Sequence, residues 1–132
     1  MGSAAMEEET KMKIYTGCRD ADGCRIWVEE PGKRKRQLNP ERSLKVRNHS
    51  PTGFEWGYCG SGPAQAALAI LLDCIGDVAA DTYQSFKNHV VARMPSTWEL
   101  TEQEIMIWLA KPTDQTDDHY KQKWDGARTE AL

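Results

Sequence analysis

Ala64 to Ile75, AQAALAILLDCI, is apolar throughout except for Gln65 and Asp73, and no other stretch restricts the possible folds as much. A helix that is apolar on most sides has to sit inside a domain, with other elements packed around it. The run is too short to cross a bilayer, which takes about 20 residues. Pro63 suits the first turn of such a helix, where a missing N–H costs nothing. Just ahead of it, Gly57, Gly60 and Gly62 fall close together, a density that suits tight turns and positive φ. The sequence predicts a buried central helix over 63–75, entered through a glycine-rich loop.

Before the loop the hydrophobic period changes to two. Phe54, Trp56 and Tyr58 share one parity, with Glu55 and Gly57 on the other, which is strand periodicity. Ser50-Pro51-Thr52-Gly53 has the form of a β-turn, with proline second and glycine fourth. Leu44, Val46 and Asn48 alternate on its other side, so a hairpin running into the central helix is expected. Nearer the start, 11–17 reads as a strand with Met12, Ile14 and Thr16 on one face. Asp20-Ala21-Asp22-Gly23 reads as its turn, and 24–30 as a second strand with Cys24, Ile26 and Val28 inward. Pro40 argues against a central strand in the segment that follows.

After the central helix, Gly76 suits a C-cap and Asp77 an N-cap. Ala79, Tyr83, Phe86, Val90 and Met94 form one apolar stripe, closed by Pro95. Thr101-Glu102-Gln103-Glu104 has the capping-box form, with Leu100 and Ile105 as a hydrophobic staple. A short third helix follows, with Ile105, Trp108 and Leu109 inward, and Pro112 stops it. The expected fold is α+β: a small antiparallel sheet of three to five strands followed by three helices packed on one face. The domain is expected to span 11–111. Residues 1–10 read as a tail or an expression remnant, and 112–132 as a polar tail or a docked helix anchored by Tyr120 and Trp124.

The string NHSPTGFEWGYCGSGPAQAALAILLD resembles the signature of an uncharacterised family of small bacterial and phage proteins. The likeness continues through FKNHVVARMP and WELTEQEIMIWL. Members of that family are often encoded on mobile genetic elements and are grouped only as a domain of unknown function. The resemblance implies no activity, cofactor or catalytic residue. It also implies that glycine commonly stands where this chain has Cys59.

Composition narrows the remaining chemistry. The four cysteines, at 18, 24, 59 and 74, form neither a CxxC pair nor a zinc-ligand spacing, so no metal or cofactor is expected. A cytoplasmic protein with free thiols is the expectation. Net charge is −3, yet between Lys33 and Arg47 there are seven basic residues and a single acid, Glu41. Four chemistries are worth weighing. Cys59, close ahead of a helix N-terminus, has the setting of an activated thiol, but no spacing brings His49, His89 or His119 to it. Gly57 and Gly62 have the gap of a Walker A loop, but Pro63 and Ala64 stand where lysine and a hydroxyl are required. Arg34, Arg36 and their neighbours could contact phosphates, with Trp27 or Trp56 stacking on bases, although no nucleic-acid-binding motif accompanies them. Phe54, Trp56 and Tyr58 would mark a protein interface if exposed, or a packed face if the helices cover it. Asp117, Asp118 and His119 sit together in the tail and make the weakest case, for a metal.

The chain therefore reads as a non-enzymatic cytoplasmic accessory protein of a mobile element. Its expected action is binding a protein partner or itself, with nucleic acid possible through 33–47 and no membrane involved. The alternative is a small-molecule or anion-binding protein with its site in the loop from Asn48 to Gly62. His49, Glu55, Trp56, Tyr58, Cys59, Arg34 and Arg36 are the candidate binding residues.

Overall fold

The computed structural model of the chain describes residues 12–111 and 117–125. Four strands form one antiparallel sheet: β1 (Ile14–Asp20), β2 (Gly23–Glu29), β3 (Arg36–Gln37) and β4 (Thr97–Thr101), in the order β3-β2-β1-β4. The helices are α1 (Glu41–Val46), α2 (Ser61–Ile75), α3 (Ala80–His89) and α4 (Glu102–Ala110). A 3₁₀ turn, Val91–Arg93, follows α3, and a short α5 (Asp117–Tyr120) runs on as a π-helical stretch, Lys121–Asp125. The α+β class is the one the hydrophobic periods predict.

Helix α2 is the centre, as its composition requires: every residue from Gly62 to Leu72 is buried. Gly76 caps it with φ 86°, its N–H bonded to the Leu72 carbonyl. One face of the sheet packs inward through alternate residues. The register sets Trp98, Gly17 and Ile26 in one row and Leu100, Tyr15 and Val28 in the next, all of them buried. Gly17 is small for a reason, because a Cβ there would lie 2.2 Å from the Trp98 ring. Trp98 in turn meets Trp56 edge to face.

Several expectations need correction. Strand β1 begins at Ile14 rather than at 11. Ile14 and Thr16 share one face, and it is the opposite face, with Tyr15 and Gly17, that is buried. No hairpin spans 44–58. Residues 41–46 form α1, begun after Pro40 with Asn39 Oδ1 accepting the Glu41 N–H. Phe54 and Trp56 are buried on an irregular segment tied by Gly57 N–H to the Val91 carbonyl. Two alternating apolar residues on α1's side were too few to establish a strand. Asp77 does not cap α3: that helix starts at Ala80, and Asp77 Oδ1 accepts the Val78 N–H instead. The fourth strand, β4, was missed because WELT sits directly against a strong helix-start signal. That start is as predicted, with Thr101 and Glu104 forming a reciprocal capping box.

Glu104 does more than cap. Its carboxylate also accepts from His119 at 2.6 Å and from Lys123 at 2.7 Å. Tyr120 and Trp124 are buried in the same place. Burial opposes its ionisation, but bonds from His119, Lys123 and Thr101 outweigh that and hold its carboxyl below the usual range.

Candidate functional site

The two polar residues that interrupt the apolar run of α2 build the site. Gln65 is fully buried, and a buried amide requires partners. Its Oε1 accepts the backbone N–H groups of His49 at 2.7 Å and Ser50 at 3.0 Å. Its Nε2 donates to Ser43 Oγ at 2.9 Å and to the Arg47 carbonyl at 3.1 Å. One side chain thereby fastens α1 and the turn after it onto the central helix.

Asp73, two turns further along α2, fastens the sheet. Arg36 Nη2 donates to its Oδ1 at 2.6 Å and Tyr15 Oη to its Oδ2 at 2.8 Å. Lys13 Nζ donates to its carbonyl at 2.9 Å, and Lys13 and Arg36 both reach Glu30 as well. Burial disfavours the Asp73 anion, yet the Arg36 and Tyr15 bonds and the Lys13 charge prevail and lower its pKa. The same burial raises the neighbouring Cys74 thiol to about 11, so that thiol stays protonated and unreactive at neutral pH.

Between these two fastenings lies a cleft of about 460 Å³. Leu38, Ala69 and Leu72 supply its apolar lining, and Arg36, Gln37, Asn39, Arg42 and Lys45 its polar one, with Glu41 and Asp73 as the acids. Arg42 is held by a 2.7 Å bond to the Gly76 carbonyl. The exposed side chains of Arg34, Lys45 and Arg47 make no hydrogen bond or ion pair with any described residue. Lys35 pairs with Glu29 and also lies over the half-buried Trp27 ring, 5.8 Å from its centroid.

The family of unknown function DUF6166 matches residues 15–111. The chain belongs to that family. No curated protein and no solved structure matches it. The matched span includes the whole cleft and both fastenings except Lys13, which lies just ahead of it.

The other residues singled out in the sequence turn to different elements. His49 Nε2 shares a 2.7 Å hydrogen bond with Tyr83 Oη on α3. Its imidazole is held below its ordinary range by burial first and then by the charges of Arg47 and Lys87. Glu55 pairs with Arg19 at 2.8 Å. Trp56 is buried beneath that guanidinium, so it offers no face for a base to stack on. Cys59 is exposed and its thiol faces Asn88 Oδ1 at 3.6 Å. Asn48 and Tyr58 are exposed. Among the described residues no hydrogen bond or ion pair joins any two of Asn48, His49, Glu55 and Cys59.

The loop glycines serve close packing. A Cβ on Gly62 would meet Glu55 at 2.5 Å, and one on Gly60 would meet the Tyr58 ring at 2.7 Å. Sequence reasoning missed the cleft and both of its fastenings. The available signal was the pair of polar residues inside an otherwise apolar buried run, since buried polar groups are found paired. Among the described residues no three potential metal ligands cluster, and no single helix is long and apolar enough to cross a membrane. His119 bonds Glu104, and the side chains of Asp117 and Asp118 lie outside the described residues.

Proposed function

We propose that this chain is a non-catalytic binding protein that engages nucleic acid through the basic segment 33–47. It would act as a small cytoplasmic accessory protein of a mobile genetic element, the setting that its sequence resemblance implies. One observation carries the reading: Arg34, Lys45 and Arg47 are exposed and unneutralised by described residues, while Arg36 and Arg42 are fastened in place beside them. Positive charge left without an internal partner, next to fixed cations, suits a ligand with repeated negative charge. Of the aromatic patch expected at Phe54, Trp56 and Tyr58, Phe54 and Trp56 are buried and Tyr58 is exposed, which leaves one ring rather than a patch to support an apolar protein interface there.

The test is binding of fluorescein-labelled oligonucleotides by anisotropy, with poly-glutamate as competitor. Nucleic-acid binding predicts an affinity that falls steeply with salt and resists poly-glutamate at matched charge. Equal displacement by poly-glutamate would shift the partner to an acidic protein. Absence of oligonucleotide binding at low salt would overturn the reading.

Self-association is supported by a separate observation. Met106 and Ile107, adjacent on α4, are 49% and 57% exposed, and contiguous exposed apolar surface is where a protein interface forms. Sedimentation velocity over a range of concentrations decides it: a single monomer species throughout would exclude this second mode.

A further inference from the structure

The cleft between β3, α1 and α2 has a shape that bulk basic charge does not require. Arg42 and Lys45 are one turn apart on α1 and so share a helix face, and both line the cleft. Leu38, Ala69 and Leu72, each less than a tenth exposed, supply a narrow apolar lining, and Gln37 and Asn39 also line the cleft. We propose that this cleft seats one nucleotide unit of the bound strand, its phosphate on Arg42 and Lys45 and its base against the Leu38–Leu72 lining. The inference rests on the nucleic-acid reading above and adds a defined pocket to it.

Size and chemistry both suit that occupant. About 460 Å³ lies within the range of roughly 300–1,000 Å³ typical of small-ligand sites. A guanidinium carries five N–H donors. Arg42 commits one nitrogen to the Gly76 carbonyl, which orients the group and leaves donors for a phosphate oxygen. Lys45 adds a mobile ammonium with no partner among the described residues. The Gln37 side-chain amide presents both a donor and an acceptor, and Asn39, whose Oδ1 accepts the Glu41 N–H, adds its NH₂ donors, so the edge of any base can be met and tolerance of sequence is expected. Two carboxylates also line the cleft. Asp73 is already met by Lys13, Arg36 and Tyr15, so its charge is largely offset. Glu41 also lines the cleft, is exposed, and shares a helix face with Lys45 four residues on, so a phosphate there is held by two cations against one carboxylate.

The experiment is a titration of the ¹⁵N-labelled full chain with AMP and, separately, with inorganic phosphate, followed by backbone amide shifts. AMP is expected to move the amides of Leu38, Asn39, Ser43 and Leu72 saturably, and phosphate to bind at least tenfold more weakly. An Arg42→Ala, Lys45→Ala variant is expected to weaken AMP at least tenfold. The amide spectrum itself reports whether that variant is folded. Should it not fold, Gln37→Ala, at an exposed position, replaces it, with a threefold loss expected. AMP shifts that are absent, or scattered outside the cleft, while oligonucleotides still bind would overturn the pocket and leave the nucleic-acid reading standing. Failure of both AMP and oligonucleotides to bind would overturn the two together.

Discussion

Replacing Gln65 with leucine would complete the apolar run of α2 and remove four hydrogen bonds at once. The groups left behind are the His49 and Ser50 N–H, the Arg47 carbonyl and the Ser43 hydroxyl. The Ser43 hydroxyl keeps its bond to the Pro40 carbonyl, and the other three groups are part-buried. Each group that water cannot reach costs about 1–3 kcal/mol, so Gln65→Leu should lower stability by about 1–3 kcal/mol in urea denaturation despite its greater hydrophobicity. A loss under about 1 kcal/mol would mean that the amide fastens nothing. His49, one of the candidate binding residues read from the sequence, is in the structure a tie between residues 48–50 and Tyr83. Its folded-state pKa is lowered from its ordinary 6.5. The neutral ring is therefore the form that fits, and its contribution is complete above pH 6.5 and lost as pH falls through the lowered value. A His49→Gln variant, which keeps a group able to bond Tyr83 Oη, should lose that part of the pH dependence of stability. An unchanged slope between pH 5 and 6.5 would place the titration on another group.

At the scale of elements, β1 shows both what the sequence reveals and where it stops. Ile26 and Val28 were legible as the inner face of β2 because branched residues alternate there with polar ones. On β1 the inner positions are Tyr15 and Gly17, a residue with a polar tip and one with no side chain, so hydrophobicity does not mark the inner face. Only the neighbour explains Gly17: the Trp98 ring occupies the space its Cβ would need. Gly17→Ala should therefore destabilise by about 1–3 kcal/mol through overpacking, read from the thermal midpoint. A neutral or stabilising effect would show that Trp98 can move aside. The central helix and the capping box of α4 were legible because each depends on residues close in the chain. Helix α1, strand β4 and the cleft were not, because each is held by a partner far along it: Gln65 for the Ser43–Ser50 segment, β1 for β4, and Asp73 for Arg36.

Across the whole molecule, charge is sorted. The carboxylates of Asp73 and Glu104 each collect cations from separate parts of the chain, and both are held below their ordinary pKa. Their stabilisation is present above the ordinary carboxylate range and is lost as pH falls through the lowered values, so cooperative unfolding belongs in acid. Among the described residues, unneutralised cations stand at Arg34, Lys45 and Arg47 and also at Lys87, Lys111 and Lys121; the functional reading turns on those of the segment 33–47. Its most direct test compares the native chain with an Arg34→Glu, Lys45→Glu, Arg47→Glu variant for binding to a labelled single-stranded oligonucleotide across a salt series. None of these side chains has a bonded partner among the described residues, so the thermal midpoint should hold. The account predicts at least a tenfold loss of affinity, with the log–log salt slope shallower by about 0.7 for each phosphate contact removed. An unchanged affinity and slope in the triple variant would contradict it.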